Sequence, residues 1–270
     1  MTLKWKRAQK KELECWSYNQ PRISGPRYMA LKREYWKNIM KTTGISLSSL
    51  TRPGVSVLEA GCGPTGVFIL FSQKQKNYDI LDPLLDEYES LYAHAFNAGT
   101  KFACALEELE AKKSYDIILV INAIDHCQDI TAFLAKLHQL LAPGGKVYIA
   151  VNTHKRKWTA ALWRLFQPLL EPHHPFHFTT AQFKTLFERL FRVVEVADIE
   201  EDVLWINRRA ARELPQAPTK RPWWKTALKS LHPGRMFFAI LHRFGLPDHD
   251  FEGGGDSLYR HKMFTLAHKQ

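Results

Sequence analysis

The stretch VLEAGCGPTG, residues 57–66, decides the fold. Its first residues are β-rich and apolar, as in a buried strand. From Gly61 to Gly66 it reads G-C-G-P-T-G, the spacing of a glycine turn in which backbone approaches a nucleotide-like ligand closely. Glu59 is the odd member. It lies two residues before the turn, where a buried strand has no evident use for a carboxylate.

Outward from this stretch, strands and helices alternate. Apolar runs predict strands at Val55–Ala60, Tyr78–Leu81, Lys101–Cys104, Tyr115–Ile121 and Lys146–Val151. The run YDIILVI (115–121) is of the continuous kind found in parallel sheets buried on both faces. Helical patterns fill Leu84–Asn97, Ile130–Leu141 and Thr179–Phe191, the last opening on a Thr179–Gln182 capping box. The APGG turn (142–145) ends the preceding helix. Such alternation predicts an open, mostly parallel α/β sheet with helices on both faces. Ligands of these sheets bind outside the carboxyl ends of the strands. Here those ends carry Glu59 with Gly61 and Gly63, then Asp82, Ala105-Leu106, Asn122, and Asn152-Thr153-His154. Asp82 follows Gly61 by 21 residues, where a carboxylate accepts hydrogen bonds from ribose hydroxyls.

The chain has 270 residues and a net charge of +11, unevenly spread. Residues 1–50 carry +8, 51–203 carry −4, 204–247 carry +8 and 248–270 carry −1. A mildly acidic centre is therefore flanked by two basic segments. No apolar run is long enough to span a bilayer, and the first residues show no leader pattern. Four cysteines without CxxC or metal spacing predict reduced thiols in a cytoplasmic protein.

Three motifs carry a family resemblance. VLEAGCGPTG resembles the first motif of the class I S-adenosylmethionine-dependent methyltransferases, an acidic residue followed by a GxG turn. YDIILVINAIDHCQD (115–129) resembles their fourth-strand motif, and LLAPGGKVYIAVN (140–152) their Pro-Gly-Gly turn and fifth strand. The resemblance covers roughly residues 53–200, with a last strand at Tyr259–Ala267. ILDPLLDEY (80–88) and HPFHFT (174–179) resemble the broad bacterial group acting on small molecules, lipids or envelope sugars. The implied fold is a Rossmann-like, mostly parallel seven-stranded sheet. Residues 1–50 form a basic helical cap, 51–203 the core, 204–257 a basic aromatic insertion, and 258–270 the last strand.

The resemblance also implies roles. Glu59, Ala60, Gly61 and Gly63 hold the methionine end of S-adenosylmethionine, the carboxylate receiving its ammonium directly or through water. Asp82 and Pro83 hold the ribose, Ala105 and Leu106 flank the adenine, and Asn122 closes the site; where the family often has an acid this chain has Ala105, so either Glu107 substitutes or that contact is lost. A sulfonium needs no metal to activate its methyl group, so positioning and a base remain as the protein's tasks. His126, His174 and His177 are the candidate bases. NAIDH (122–126) is similar to the E-x-x-E-H of ubiquinone-pathway O-methyltransferases, which can hold a divalent metal. Asn122 and Asp125 replace the two glutamates here, and no metal site is expected.

The flanks supply specificity. Residues 24–43 fit a helix with Tyr28, Leu31, Tyr35, Trp36 and Ile39 on one side. In 221–247, aromatics are interleaved with Lys225, Lys229, Arg235 and Arg243, a pattern suited to packing, to an apolar acceptor, or to an anionic membrane surface. DHDFEGGGDS (248–257) reads as a loop. The expected activity is O-methylation of a small-molecule or lipid-like acceptor, at the membrane periphery if 221–247 makes that contact. RNA methylation is the rival suggested by the basic flanks, though no nucleic-acid-binding module is evident. A non-catalytic binding protein on the same fold is the third reading.

Overall fold

The computed structural model describes residues 3–92, 94, 96–110, 112–170, 176–214 and 259–269. The predicted helices of 221–247, the loop at 248–257, His173 and His174 lie outside the described residues.

Seven strands form one sheet in the order β3-β2-β1-β4-β5-β7-β6. They are β1 (Val57–Ala60), β2 (Tyr78–Leu81), β3 (Lys101–Phe102), β4 (Tyr115–Ile121), β5 (Leu141–His154), β6 (Phe191–Asp198) and β7 (Tyr259–His268). β7 runs antiparallel to both β5 and β6, whereas β1 to β5 pair in parallel. The order reverses between β1 and β4, which opens a crevice at their carboxyl ends.

Both faces of the sheet are covered. One face carries α1 (Leu3–Ile23), α2 (Pro26–Thr42), the one-turn α3 (Leu47–Thr51), α4 (Leu85–Leu91) and α8 (Glu200–Glu213). On α2 the residues Met29, Leu31, Tyr35, Trp36, Ile39 and Met40 are buried, a stripe at helical spacing that seats the helix on the sheet. The other face carries α5 (Ile130–Leu140) and α7 (Thr180–Phe187). Phe133, Leu134 and Leu137 of α5 and Phe183 and Phe187 of α7 are buried there. Each such side chain stabilises the fold by roughly 1.5–3 kcal/mol relative to exposure. Asp129 caps α5 through Thr131 N and Ala132 N, and the Thr179–Gln182 capping box is formed. α6 (Lys157–Leu170) follows β5.

Several boundaries differ from expectation. The helix expected over 84–97 stops at Leu91. Beyond it Tyr92 donates its hydroxyl proton to Trp16 O, and the His94 ring meets Pro64 O at 2.6 Å, contacts that a continuing helix would break. β5 begins at Leu141 and runs through the APGG turn, with Gly144 at φ 77° and a register shift opposite Tyr115–Ile117. The division drawn at 203/204 falls inside α8, which packs on α2. Likewise, the division at 50/51 falls inside α3. Among the described residues no helix is long and apolar enough to cross a membrane.

Candidate functional site

A cavity of about 380 Å³ lies at the reversal point. Its walls include every expected cofactor residue but one: Glu59, Gly61, Gly63, Asp82, Pro83, Ala105, Leu106 and Asn122 line it. Ala60, fully buried in β1, does not. Of the three candidate histidines, His126 lines the cavity. His177 is buried elsewhere, its Nδ1 3.2 Å from Nε2 of His154, in a cluster with Trp163 and Tyr259.

The turn is built from backbone that other residues would not adopt. Gly61 and Gly63 have φ of 72° and 55°, in the left-handed region that favours glycine. A Cβ on Gly61 would stand 2.2 Å from that of Ala123, so β1 and the end of β4 meet there without room for a methyl group. Asn122, beside it, also has positive φ (50°), which asparagine tolerates better than most side chains. Around Gly63 the space is open: among the described residues, its two chain neighbours aside, no atom lies within 4 Å of where a Cβ would stand. A ligand can therefore approach this backbone.

Glu59 answers the question raised by its position. Its Oε1 accepts from Val67 N (2.6 Å), and its Oε2 from Phe68 N (3.1 Å) and the Tyr78 hydroxyl (2.8 Å). The carboxylate ties the far end of the glycine loop back onto β1. Gly66 permits this, because a Cβ there would lie 2.3 Å from Glu59 Oε1. Three of about four lone-pair directions are thus taken by the protein. Burial pushes the carboxyl up to about 7, against the pull of the Val67, Tyr78 and Phe68 donors. The expected ammonium contact therefore finds a group already committed to the loop, with one direction left.

Asp82 sits just past β2 with Oδ2 accepting from Gly63 N and Oδ1 from Leu84 N, both at 2.9 Å. Burial raises its carboxyl to about 6; the two N–H donors oppose this, and the charges of Glu12 and Glu87 add to it. Each oxygen keeps a lone pair for a further donor such as a ribose hydroxyl. Glu107 is turned toward backbone, Oε1 accepting from Gln128 N at 2.8 Å.

The cap contributes residues that the motifs did not single out. Trp5, Gln9, Glu12 and Trp16 of α1 line the cavity at helical spacing, and Trp5 Nε1 donates to His126 O at 3.0 Å. From α2, Lys32 and Trp36 line it, and Trp36 Nε1 donates to Thr65 O at 2.9 Å. Arg33 donates to Ile69 O, so α2 grips the glycine loop at two points. Asn152 lines the cavity from β5, with its Oδ1 2.5 Å from Nδ1 of His261 across the sheet. Burial lowers that imidazole to about 4, so it is neutral and can donate to the amide oxygen. Asn152 then keeps its NH₂ free to act as a donor. Among the described residues no group of three His, Cys, Asp or Glu side chains is placed to hold a metal ion.

Comparison with known proteins bears on the family and the fold. The methyltransferase-domain family model matches residues 21–196. The ubiquinone biosynthesis O-methyltransferase of Rickettsia canadensis is 26% identical over 106 residues, which are 38% of this chain and 45% of that protein. The enzyme of the same description from Bradyrhizobium is 27% identical over 108 residues, 39% of this chain and 42% of that one. The chain thus matches less than half the length of these relatives. Among solved structures, the cyclopropane synthase MmaA2 of Mycobacterium tuberculosis superposes with TM-score 0.55, at 15% identity over 85% of this chain and 82% of that one. Coclaurine N-methyltransferase, bound to N-methylheliamine and S-adenosylhomocysteine, gives 0.53 at 17% identity over 85% and 72%. Both show the same fold. The chain belongs to the methyltransferase-domain family, the class I enzymes that use S-adenosylmethionine.

Proposed function

We propose that the protein transfers a methyl group from S-adenosylmethionine to an oxygen of a small-molecule or lipid-like acceptor. The observation that carries this reading is the joining of Asp82 to the Gly63 backbone at the mouth of the β1/β4 crevice. A carboxylate beside an open glycine turn suits a nucleoside ligand. The choice of oxygen is supported by the description of the relatives as ubiquinone biosynthesis O-methyltransferases and by an imidazole, His126, on the cavity wall.

The residues present fit the cofactor. Asp82 and Pro83 would hold its ribose, Ala105 and Leu106 its base, and the Gly61–Gly63 backbone its amino-acid end. When bound, S-adenosylmethionine supplies a methyl group on a positively charged sulfur, ready for displacement by a nucleophile. The chain's own tasks are to orient the acceptor and to take its proton. His126 is suited to the second task, because a ring nitrogen on the cavity wall can take a proton from an acceptor hydroxyl. Trp5 pins the backbone carbonyl of the same residue. Asn152 is suited to the first, as an amide donor whose orientation His261 holds.

The test is transfer of labelled methyl from S-adenosylmethionine to a panel of phenols, catechols and lipid hydroxyls, with and without EDTA. Labelled ether products formed in EDTA support the reading. Product on nitrogen or on RNA alone, or activity lost with EDTA and restored by magnesium, would replace it.

A further inference from the structure

The cavity has a marked charge asymmetry. Glu12, Glu59, Asp82 and Glu107 line it, but Lys32 is the one lysine or arginine among the described lining residues. The residue is partly exposed, yet its ammonium end is enclosed enough that burial lowers it to about 8. No carboxylate among the described residues lies within ion-pair distance of it. Its near neighbours are aromatic: Nζ stands 4.7 Å from the ring centre of Tyr35 and 4.9 Å from that of Trp36. Ring faces of this kind offset part of a cation's lost hydration without neutralising it. An enclosed cation left unneutralised is costly, and the cost falls when an anion enters.

The location narrows which anion. Trp36, under the ammonium, is bonded to Thr65 O, and Arg33 next in sequence is bonded to Ile69 O. Lys32 is therefore fixed relative to the glycine loop. Trp5, by contrast, is bonded to His126 O, beside the candidate base. The ligand proposed for this cavity carries one carboxylate, at its amino-acid end.

Resting on that reading, we infer that Lys32 is a carboxylate-binding residue, and that the carboxylate it receives is the one at the amino-acid end of the cofactor. The acidic lining suits the ligand's two positive centres, the sulfonium and the ammonium. The single lysine suits its single negative one.

Binding of S-adenosylhomocysteine and of 5′-methylthioadenosine separates the possibilities, since the second lacks the whole amino-acid portion. Titration calorimetry on the full chain and on K32M, K32Q and K32R gives both affinities, and thermal melting checks the fold. Loss of one charge-assisted hydrogen bond should weaken S-adenosylhomocysteine about 10- to 100-fold in K32M and K32Q. Methylthioadenosine should change less than about 3-fold, and K32R should keep most of the preference. Equal losses for both ligands in a variant that melts like the parent would overturn the proposal. So would an unchanged affinity for S-adenosylhomocysteine, which would leave Lys32 to an acceptor or to solvent. If the neutral variants do not fold, the parent decides: equal affinity for the two ligands overturns the proposal. A parent that binds neither ligand would instead refute the cofactor reading of the cavity, and the proposal with it.

Discussion

Gly61→Ala tests the junction between β1 and the end of β4. The backbone at Gly61 has φ 72°, and the new Cβ would stand 2.2 Å from Cβ of Ala123. Holding an alanine in the left-handed region costs about 1–2 kcal/mol. Forcing a methyl group into a filled contact costs about 1–3 kcal/mol more. The substitution should therefore destabilise the protein by roughly 2–5 kcal/mol, a large share of a typical total of 5–15 kcal/mol. The two parts are separable, because Ala123→Gly removes the clash and leaves the backbone strain. Alone, Ala123→Gly should cost about 0.5–1 kcal/mol. In the double variant the clash vanishes, so the two changes should couple favourably by about 1–3 kcal/mol. Urea denaturation of the four proteins measures this, with an unchanged m-value as the check that only stability moved. A Gly61→Ala cost under about 1 kcal/mol, or no coupling to Ala123→Gly, would refute the stated contact.

The other expectations follow from the same walls. Glu59, raised from 4.5 to about 7 by burial, stabilises the ligand-free fold most below pH 4.5 and loses that contribution as pH rises through 7. Parent stability should therefore fall by about 3 kcal/mol more than that of E59Q between those limits; parallel pH profiles in urea titrations would contradict this. D82N should weaken S-adenosylhomocysteine at least 10-fold by calorimetry, on the scale of a lost hydrogen bond to a charged group, and an unchanged affinity would remove Asp82 from the site. H126A should lower kcat about 10²- to 10⁴-fold while cofactor affinity moves less than about 3-fold, and an unaffected kcat would exclude it as the base. Replacing Phe237 and Phe238 by Ser should reduce sedimentation with anionic liposomes, and equal sedimentation by the parent and the variant would end the membrane reading of 221–247.

The parts of the fold legible in the sequence are those governed by local pattern. The seven-residue run of β4, the Asp129 and Thr179 caps and the glycine turn each depend on neighbours in the chain. The motif residues that line the cavity lie together because each stands at or just past a strand's carboxyl end, and a parallel sheet brings those ends together. The α1 contacts were not legible. Trp5, Gln9, Glu12 and Trp16 share a face, but two of the four are polar, so no apolar stripe marks the surface that meets the cavity. Lys32 was hidden for a related reason: a lysine in a basic segment reads as solvated, and only the packing of α2 on the loop encloses it. His94 lies in a stretch expected to be helical, and its role in holding Pro64 appears only once the chain turns away at Tyr92. α6 received no assignment at all, although Trp163 within it is fully buried.

Glu59 shows how a motif residue on the cavity wall can act through the loop that it holds. Gly61 N and Cys62 N at the start of the turn still donate to Leu81 O of β2, whereas the N–H groups at its far end find no backbone acceptor in the sheet among the described residues. Val67 and Phe68 carry two of these, and the strand's own side chain receives both. The carboxylate and the loop thus define each other: the acid tolerates burial because the loop supplies donors, and the loop keeps its curvature because the acid accepts them. Asp82 repeats the arrangement one strand away, receiving Gly63 from the same loop. Trp36 and His94 hold the carbonyls of Thr65 and Pro64 from outside. Five hydrogen bonds from Glu59, Asp82, Trp36 and His94 therefore converge on residues 63–68. A segment held this way keeps its shape before any ligand arrives, so less ordering is lost on binding. On this view the acidic residue of the motif acts first on the architecture of the turn, and through the turn on the ligand.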